Sequence, residues 1–327
     1  MASEQFHSTR NTLQSQQSSP DVTVIHHSSK AKVSPAAGPE AESEAQQLPP
    51  VPQFNLAEMI EKGTHVSFIH NCPAKVLAVH FTAIERDIIQ DIDWKDLIEH
   101  KWNRDLAPVN LWLEIIANEE YYTTNQGVNL VIARFNLMVN WVILEVLLTK
   151  SQSERVGVIL RMIHVAHHCL VLQNYLTLMQ VVLALTLEKL HRLKDTWMHL
   201  HPGDILMLKS LEELTLPLKN FLNLRIAINT TTPLKGCIPF VGLYLLDLIF
   251  NAERPTFIKA ATDDGDKLIN FSKFRTLVHI VRLLSQCIEW LSNYHLEMVP
   301  EVLLRCLYIK SLDEDEMNYC VDHIDDP

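Results

Sequence analysis

The residues whose types and spacing point to chemistry sit in residues 240–255 (F-V-G-L-Y-L-L-D-L-I-F-N-A-E-R-P) and in 268–273 (L-I-N-F-S-K). The first eleven of these are apolar apart from Asp247. Read at 100° per residue, Leu246, Ile249, Phe250 and Glu253 share one side of a helix. A carboxylate therefore closes an otherwise apolar stripe. Pro255 cannot continue the helix and turns the chain. Residues 275–293 then read as a second amphipathic helix, which makes a helical hairpin with Ile249 and Glu253 near its tip. On periodicity alone, a buried core hairpin ending in a solvated glutamate is the better account of the pattern.

Other constellations carry less. His164, His167, His168 and Cys169 crowd together, but Val165 stands where a zinc-protease motif needs glutamate. Histidines on a helix surface or satisfied in a core explain them. Asp263, Asp264 and Asp266 flank Gly265 without the alternating ligand spacing of a calcium loop. A solvated connector with helix-capping carboxylates fits them. No G-x-x-x-x-G-K and no G-x-S-x-G occurs, which argues against a phosphate-binding loop and a nucleophile elbow. The expectation is no metal and no cofactor.

The elements that position these residues read as helices. Eight glycines in 327 residues disfavour turn-dense β folds, and 47% hydrophobic residues supply a sizeable core. A net charge of −11 argues against a nucleic-acid partner. Residues 311–327 carry seven acids and no Lys or Arg, which reads as a solvated tail. Six scattered cysteines without C-x-x-C, and no charged-then-apolar start, read as a cytosolic protein with reduced thiols. The apolar runs read as too short or too interrupted to span a bilayer. Residues 1–50, rich in Ser, Gln, Pro and Ala, read as disordered. From residue 55 the period is helical almost throughout: 77–102 splits near Asp91 and Asp93, and 128–148, 154–172, 176–185, 205–224 and 297–312 follow. No strand is convincingly signalled, so the expected class is all-α, one irregular bundle of about ten to fourteen helices with a protruding hairpin.

Two patterns, P-F-x-G-x-Y-L-x-D at 239–247 and I-N-F-S-K at 269–273, resemble the most specific marks of the catalytic domain of Ras-family guanine-nucleotide exchange factors, of a fungal type. Earlier blocks keep the family's order: F-T-A-I-E at 81–85, R-F-N at 134–136 with Trp141, E-R-V at 154–156, and N-Y at 174–175. N-F at 220–221 with Arg225 and L-Y-x-x-S-L at 307–312 complete it. The resemblance covers roughly residues 70–315 and implies a domain at 51–315 with an acidic tail at 316–327. It places the F-T-A-I-E block on the outside of the bundle, in a packing role. It implies nucleotide exchange on a Ras-like small GTPase of Ras or Rap type, with no bond made or broken. Carried over residue by residue, Ile249 crowds the GTPase's Mg²⁺ site and Glu253 competes with phosphate for its lysine. Arg134, Asn136, Tyr175, Thr186, Phe221, Phe240 and Leu246 then match the residues that grip the GTPase. The setting implied is cytoplasmic, with recruitment to the plasma membrane through the GTPase and no membrane insertion.

The chain departs from the family in three places. Thr186 stands where an Asn is common, and Arg254-Pro255 replace a Gly-Asn-Pro tip. Little foldable sequence precedes the first block, so the helical module that usually braces the hairpin is expected from another chain or not at all. These departures favour a rival reading, a scaffold that binds the GTPase without exchanging nucleotide.

Overall fold

The computed structural model describes residues 65, 67–102, 109–118, 126–259 and 267–324. The expected disordered segment 1–50 and the connector at 263–266 lie outside the described residues. The helical period resolves into fourteen α-helices among the described residues. They are α1 Ala74–Gln90, α2 Trp94–Glu99, α3 Trp112–Ala117, α4 Val128–Leu147, α5 Gln152–Val171, α6 Tyr175–Thr186 and α7 Glu188–His191. The chain continues through α8 Lys194–Met198, α9 Pro202–Thr215, α10 Leu222–Asn229, α11 Gly242–Ala252, α12 Phe271–Trp290, α13 Pro300–Leu307 and α14 Glu314–His323. The class is all-α, as the periodicity predicts.

Helices α1, α4, α5 and α6 pack together as the centre of the bundle. Helix α4 is apolar on nearly every side, which is the pattern of a helix buried all round. By length and composition it is also long enough to cross a membrane, which the run-by-run reading missed, but most of that span is buried within the bundle. The split near Asp91 and Asp93 is real: Asp93 caps α2 by accepting from the Lys95 N–H at 2.9 Å. All six cysteines are free and buried.

Four expectations need correction. The F-T-A-I-E block is core, not the outside of the bundle, since Phe81, Thr82 and Glu85 are fully buried. The helical pattern of 205–224 breaks after Thr215 and restarts at Leu222. A short antiparallel ribbon exists, β1 Phe257–Lys259 with β2 Lys267–Ile269, pairing Phe257 with Ile269 and Lys259 with Lys267. Three residues per strand are too few to show a period of two. The acidic run is solvated, with Asp313, Glu314, Asp315 and Asp322 exposed, but it is a folded helix and not a tail: α14 is capped by a reciprocal Asp313–Glu316 box and buries Met317, Cys320 and Val321.

Helices α11 and α12 pack side by side as the hairpin, and both also touch the short helix α2. The hairpin is tied to the bundle at its root. The Tyr175 N–H donates to the Ile238 carbonyl at 2.8 Å, and the Ile238 N–H donates to the Gln173 carbonyl at 3.0 Å. This short bridge joins the start of α6 to the segment entering α11. Nearby, Gly236 has φ +76°, and a Cβ there would come within 2.7 Å of the Tyr294 ring. Only glycine satisfies both conditions. The ring is itself held, because the Tyr294 hydroxyl donates to the Leu172 carbonyl at 2.6 Å.

Candidate functional site at the hairpin tip

The residues of the first motif each have a structural cause. A Cβ at position 242 would meet the Phe240 ring at 2.6 Å, so Gly242 lets that ring lie against the helix start. Phe240 also meets Phe135 at 5.5 Å and Phe221 at 6.0 Å between ring centroids. Such aromatic pairs are worth about 0.5–1.5 kcal/mol each beyond their buried area. Tyr244 is buried with its hydroxyl 3.9 Å from the Cys287 sulfur of α12, and burial raises its pKa. Asp247 interrupts the apolar run because Arg225 grips it with two bonds, of 2.8 and 2.9 Å. That geometry is the strong, bidentate kind.

Helix α11 buries Leu243, Tyr244, Leu245, Leu248 and Asn251. Leu246 and Ile249 are half-buried, and Phe250 and Glu253 are exposed. The apolar stripe ending in a carboxylate therefore lies on the open side of the hairpin. Glu253 is the residue at which the helix ends. The helix dipole disfavours a negative charge there, and no hydrogen bond or ion pair joins its carboxylate to another described residue.

The second motif closes the tip from α12. Asn270 caps that helix, accepting from the Lys273 N–H, and its amide donates to the Pro255 carbonyl at 2.8 Å. The Asn251 amide donates to the Lys273 carbonyl at 3.1 Å. The two motifs, separate in sequence, meet here. Beyond them apolar side chains stay exposed on both sides of the ribbon (Phe257, Ile258, Leu268, Ile269), on α11 (Phe250) and at helical spacing on α12 (Phe271, Phe274, Val278).

The expected gripping residues divide. Phe221, Asn136 and Thr186 are half-buried and offer surface. Phe221 follows two left-handed residues and is left-handed itself, with φ of 51°, 57° and 57° across Lys219, Asn220 and Phe221. Each such non-glycine residue costs about 1–2 kcal/mol. Strain of this kind clusters at functional sites, and here it is held by Arg225, whose Nε donates to the Asn220 carbonyl at 2.8 Å. Tyr175 and Phe240 are only 4% and 3% exposed. Both are core side chains, and Phe240 is the ring on which Phe221 rests. The Tyr175 hydroxyl donates to the Ala227 carbonyl at 3.2 Å.

Arg134 corrects an expectation. It is fully buried, its Nε donates to Glu85 at 3.2 Å, and its guanidinium lies over the Trp112 ring at 4.9 Å. It cannot grip a partner from there. Burial pushes the Glu85 carboxyl up from its ordinary pKa, against the pull of Arg134. Sequence reading missed this pair because Glu85 and Arg134 lie on different helices, α1 and α4. It also missed Arg254, whose guanidinium crosses to α12. The histidine cluster resolves locally: His164 pairs with Asp204 at 3.1 Å, and Cys169 is buried.

The model of the RasGEF domain matches residues 76–275. Curated relatives include guanine nucleotide exchange factor LTE1 of Kluyveromyces lactis, 38% identical over 254 residues, covering 78% of this chain and 18% of that protein. LTE1 of Saccharomyces cerevisiae is 38% identical over 255 residues, covering 78% and 17%. Ras-specific guanine nucleotide-releasing factor 1 of Mus musculus is 25% identical over 262 residues, covering 80% and 19%. The chain thus spans under a fifth of the length of these relatives. A family match over most of the described bundle, containing all of α11 and both motifs of its hairpin, means that this chain belongs to the RasGEF domain family.

Proposed function

We propose that this domain is a guanine-nucleotide exchange factor for a Ras-like small GTPase, of Ras or Rap type. The observation that carries the proposal is the open stripe Leu246–Ile249–Glu253, held at a tip where both motifs converge. Such a stripe suits displacement without bond chemistry. A GTPase holds Mg²⁺ and phosphate through a lysine, a serine and backbone N–H groups. Ile249 pushed toward the metal removes a place where Mg²⁺ is hydrated. The Glu253 carboxylate competes with the phosphates for the lysine. One close charge pair supplies about 2–5 kcal/mol, and each tenfold in rate needs about 1.4 kcal/mol. Glu253 therefore accounts for a few decades, and the rest comes from gripping the GTPase on the surface around Phe221, Asn136 and Thr186.

In this reading the protein acts in the cytoplasm and reaches the plasma membrane through its GTPase. The exposed apolar stripe Phe271–Phe274–Val278 of α12 is where the bracing helical module implied by the family would sit, elsewhere in a longer chain or on a partner. Release of fluorescent GDP from a panel of Ras-like GTPases tests the activity. Tightest binding to nucleotide-free GTPase, reversed by GDP or GTP with Mg²⁺, is the matching equilibrium result.

One observation favours the scaffold reading. The Thr186 hydroxyl donates back to the Val182 and Leu183 carbonyls of its own helix, at 2.9 and 3.1 Å, which leaves it less to offer a partner. Equal affinity for loaded and empty GTPase would select that reading.

A further inference from the structure

We propose that Arg254 is a positioning residue that, with Lys273, fixes the backbone turn that carries the Glu253 carboxylate; this rests on the exchange reading above. Glu253 is exposed at a helix end, where a side chain is ordinarily free to wander. Its two neighbours are not free. The Lys273 ammonium donates to the Ala252 carbonyl at 2.9 Å and to the Arg254 carbonyl at 2.6 Å. These two carbonyls bracket Glu253, so one cation on α12 pins the backbone on both sides of it. The same ammonium reaches the Thr256 hydroxyl at 3.3 Å.

Arg254 completes the clamp from the turn that follows α11. One guanidinium nitrogen donates to the Thr276 hydroxyl at 3.2 Å and to the Asn251 side-chain oxygen at 3.4 Å. Another donates to the Ser272 hydroxyl at 3.1 Å. Ser272 and Thr276 lie one turn apart on α12, a spacing that a planar fork spans and a point charge does not. A glycine at position 254 supplies none of these bonds, so the clamp is a property of this chain's Arg254-Pro255 tip. Two cations also stand beside the turn without forming an ion pair to Glu253 among the described residues. They offset the unfavourable helix dipole while leaving the carboxylate available.

The test is a double-mutant cycle read by GDP release at saturating domain, with amide hydrogen exchange beside it. Arg254→Ala should lower the maximal release rate about three- to tenfold while the half-saturating concentration stays within about twofold. In a Glu253→Ala background the same change should cost less than about 1.5-fold, because its effect runs through the missing carboxylate. Arg254→Lys should recover only part of the rate. The amides of residues 252–254, which are hydrogen-bonded at the end of α11, should exchange about tenfold faster or more in Arg254→Ala, with α4 and α6 unchanged. An equal loss in both backgrounds, or an unchanged rate beside an active wild type, would overturn the positioning role. Unaltered protection at the tip would overturn the clamp itself, whatever the exchange assay shows. No stimulated release by the wild type on any GTPase would defeat the exchange reading, and with it the role given to Glu253.

Discussion

Two carboxylates in this domain sit near cations in opposite settings. Glu85 is fully buried against Arg134 in the centre of the bundle. Glu253 is exposed at the hairpin tip, with Arg254 and Lys273 turned to other partners. The first pair is surrounded by core and has no route to a ligand. Its charges cost desolvation, which the Arg134 and Gln180 bonds to one Glu85 oxygen offset only in part, since the other Glu85 oxygen and both terminal nitrogens of Arg134 have no hydrogen-bond partner among the described residues. The second carboxylate is kept unpaired at an unfavourable helix position by groups that hold only its backbone. A buried ion pair organises a fold, whereas an exposed, unpaired and braced carboxylate is what a displacement site needs.

The largest expected effect is on the buried side of the comparison. Arg134→Met leaves Glu85 buried without its cation and should cost about 3–5 kcal/mol of unfolding free energy. Urea denaturation with an unchanged slope measures it. A cost under about 1 kcal/mol would mean that water reaches the pair and that the contrast is overstated.

Next is the aromatic floor. Phe240→Ala removes contacts to Phe135 and Phe221 and should cost about 3–5 kcal/mol at most, the usual range for a buried phenylalanine. GTPase binding should weaken beyond what melting explains, because Phe221 loses the ring it rests on. A variant that melts lower yet binds normally would separate the floor from the site.

A smaller effect should come from the link between α10 and the hairpin. Arg225 and Asp247 are each one quarter exposed, so solvent screens them, and Asp247→Asn should cost about 1 kcal/mol or less. The left-handed turn should loosen with it, which accelerated amide exchange at residues 219–222 would report.

The smallest is a pH effect with a defined sign. The folded-state pKa of Glu85 is raised by burial, so its contribution to stability is full below the ordinary carboxylate value and is lost as pH rises through the folded value. The stability of the wild type relative to Glu85→Gln should therefore fall with rising pH across that window and then level off. The opposite slope would mean that Arg134 outweighs desolvation.

Much of this was legible in the sequence because it depends on local period. The helices, the split at Asp91–Asp93 and the shared side of Leu246, Ile249 and Glu253 follow from spacing alone. What was not legible depends on contacts between distant residues. Arg134 looks like any motif arginine until Glu85, on another helix, is brought under it. The left-handed turn at Lys219–Phe221 contains no glycine to announce it. The clamp needs Arg254 of the turn after α11 and Ser272 and Thr276 of α12, and the sequence showed only that a glycine was missing. The ribbon strands are shorter than any period that could reveal them.

The comparison turns on whether the exposed carboxylate does the displacing. The most direct measurement is GDP release from the matched GTPase with Glu253→Ala, and thermal melts alongside. Release should slow roughly ten- to several-hundredfold, the size of one charge-assisted contact. Stability should change by no more than about 0.5 kcal/mol, as for an exposed surface residue. Unchanged release by Glu253→Ala, with an active wild type, would contradict a displacing role for this carboxylate.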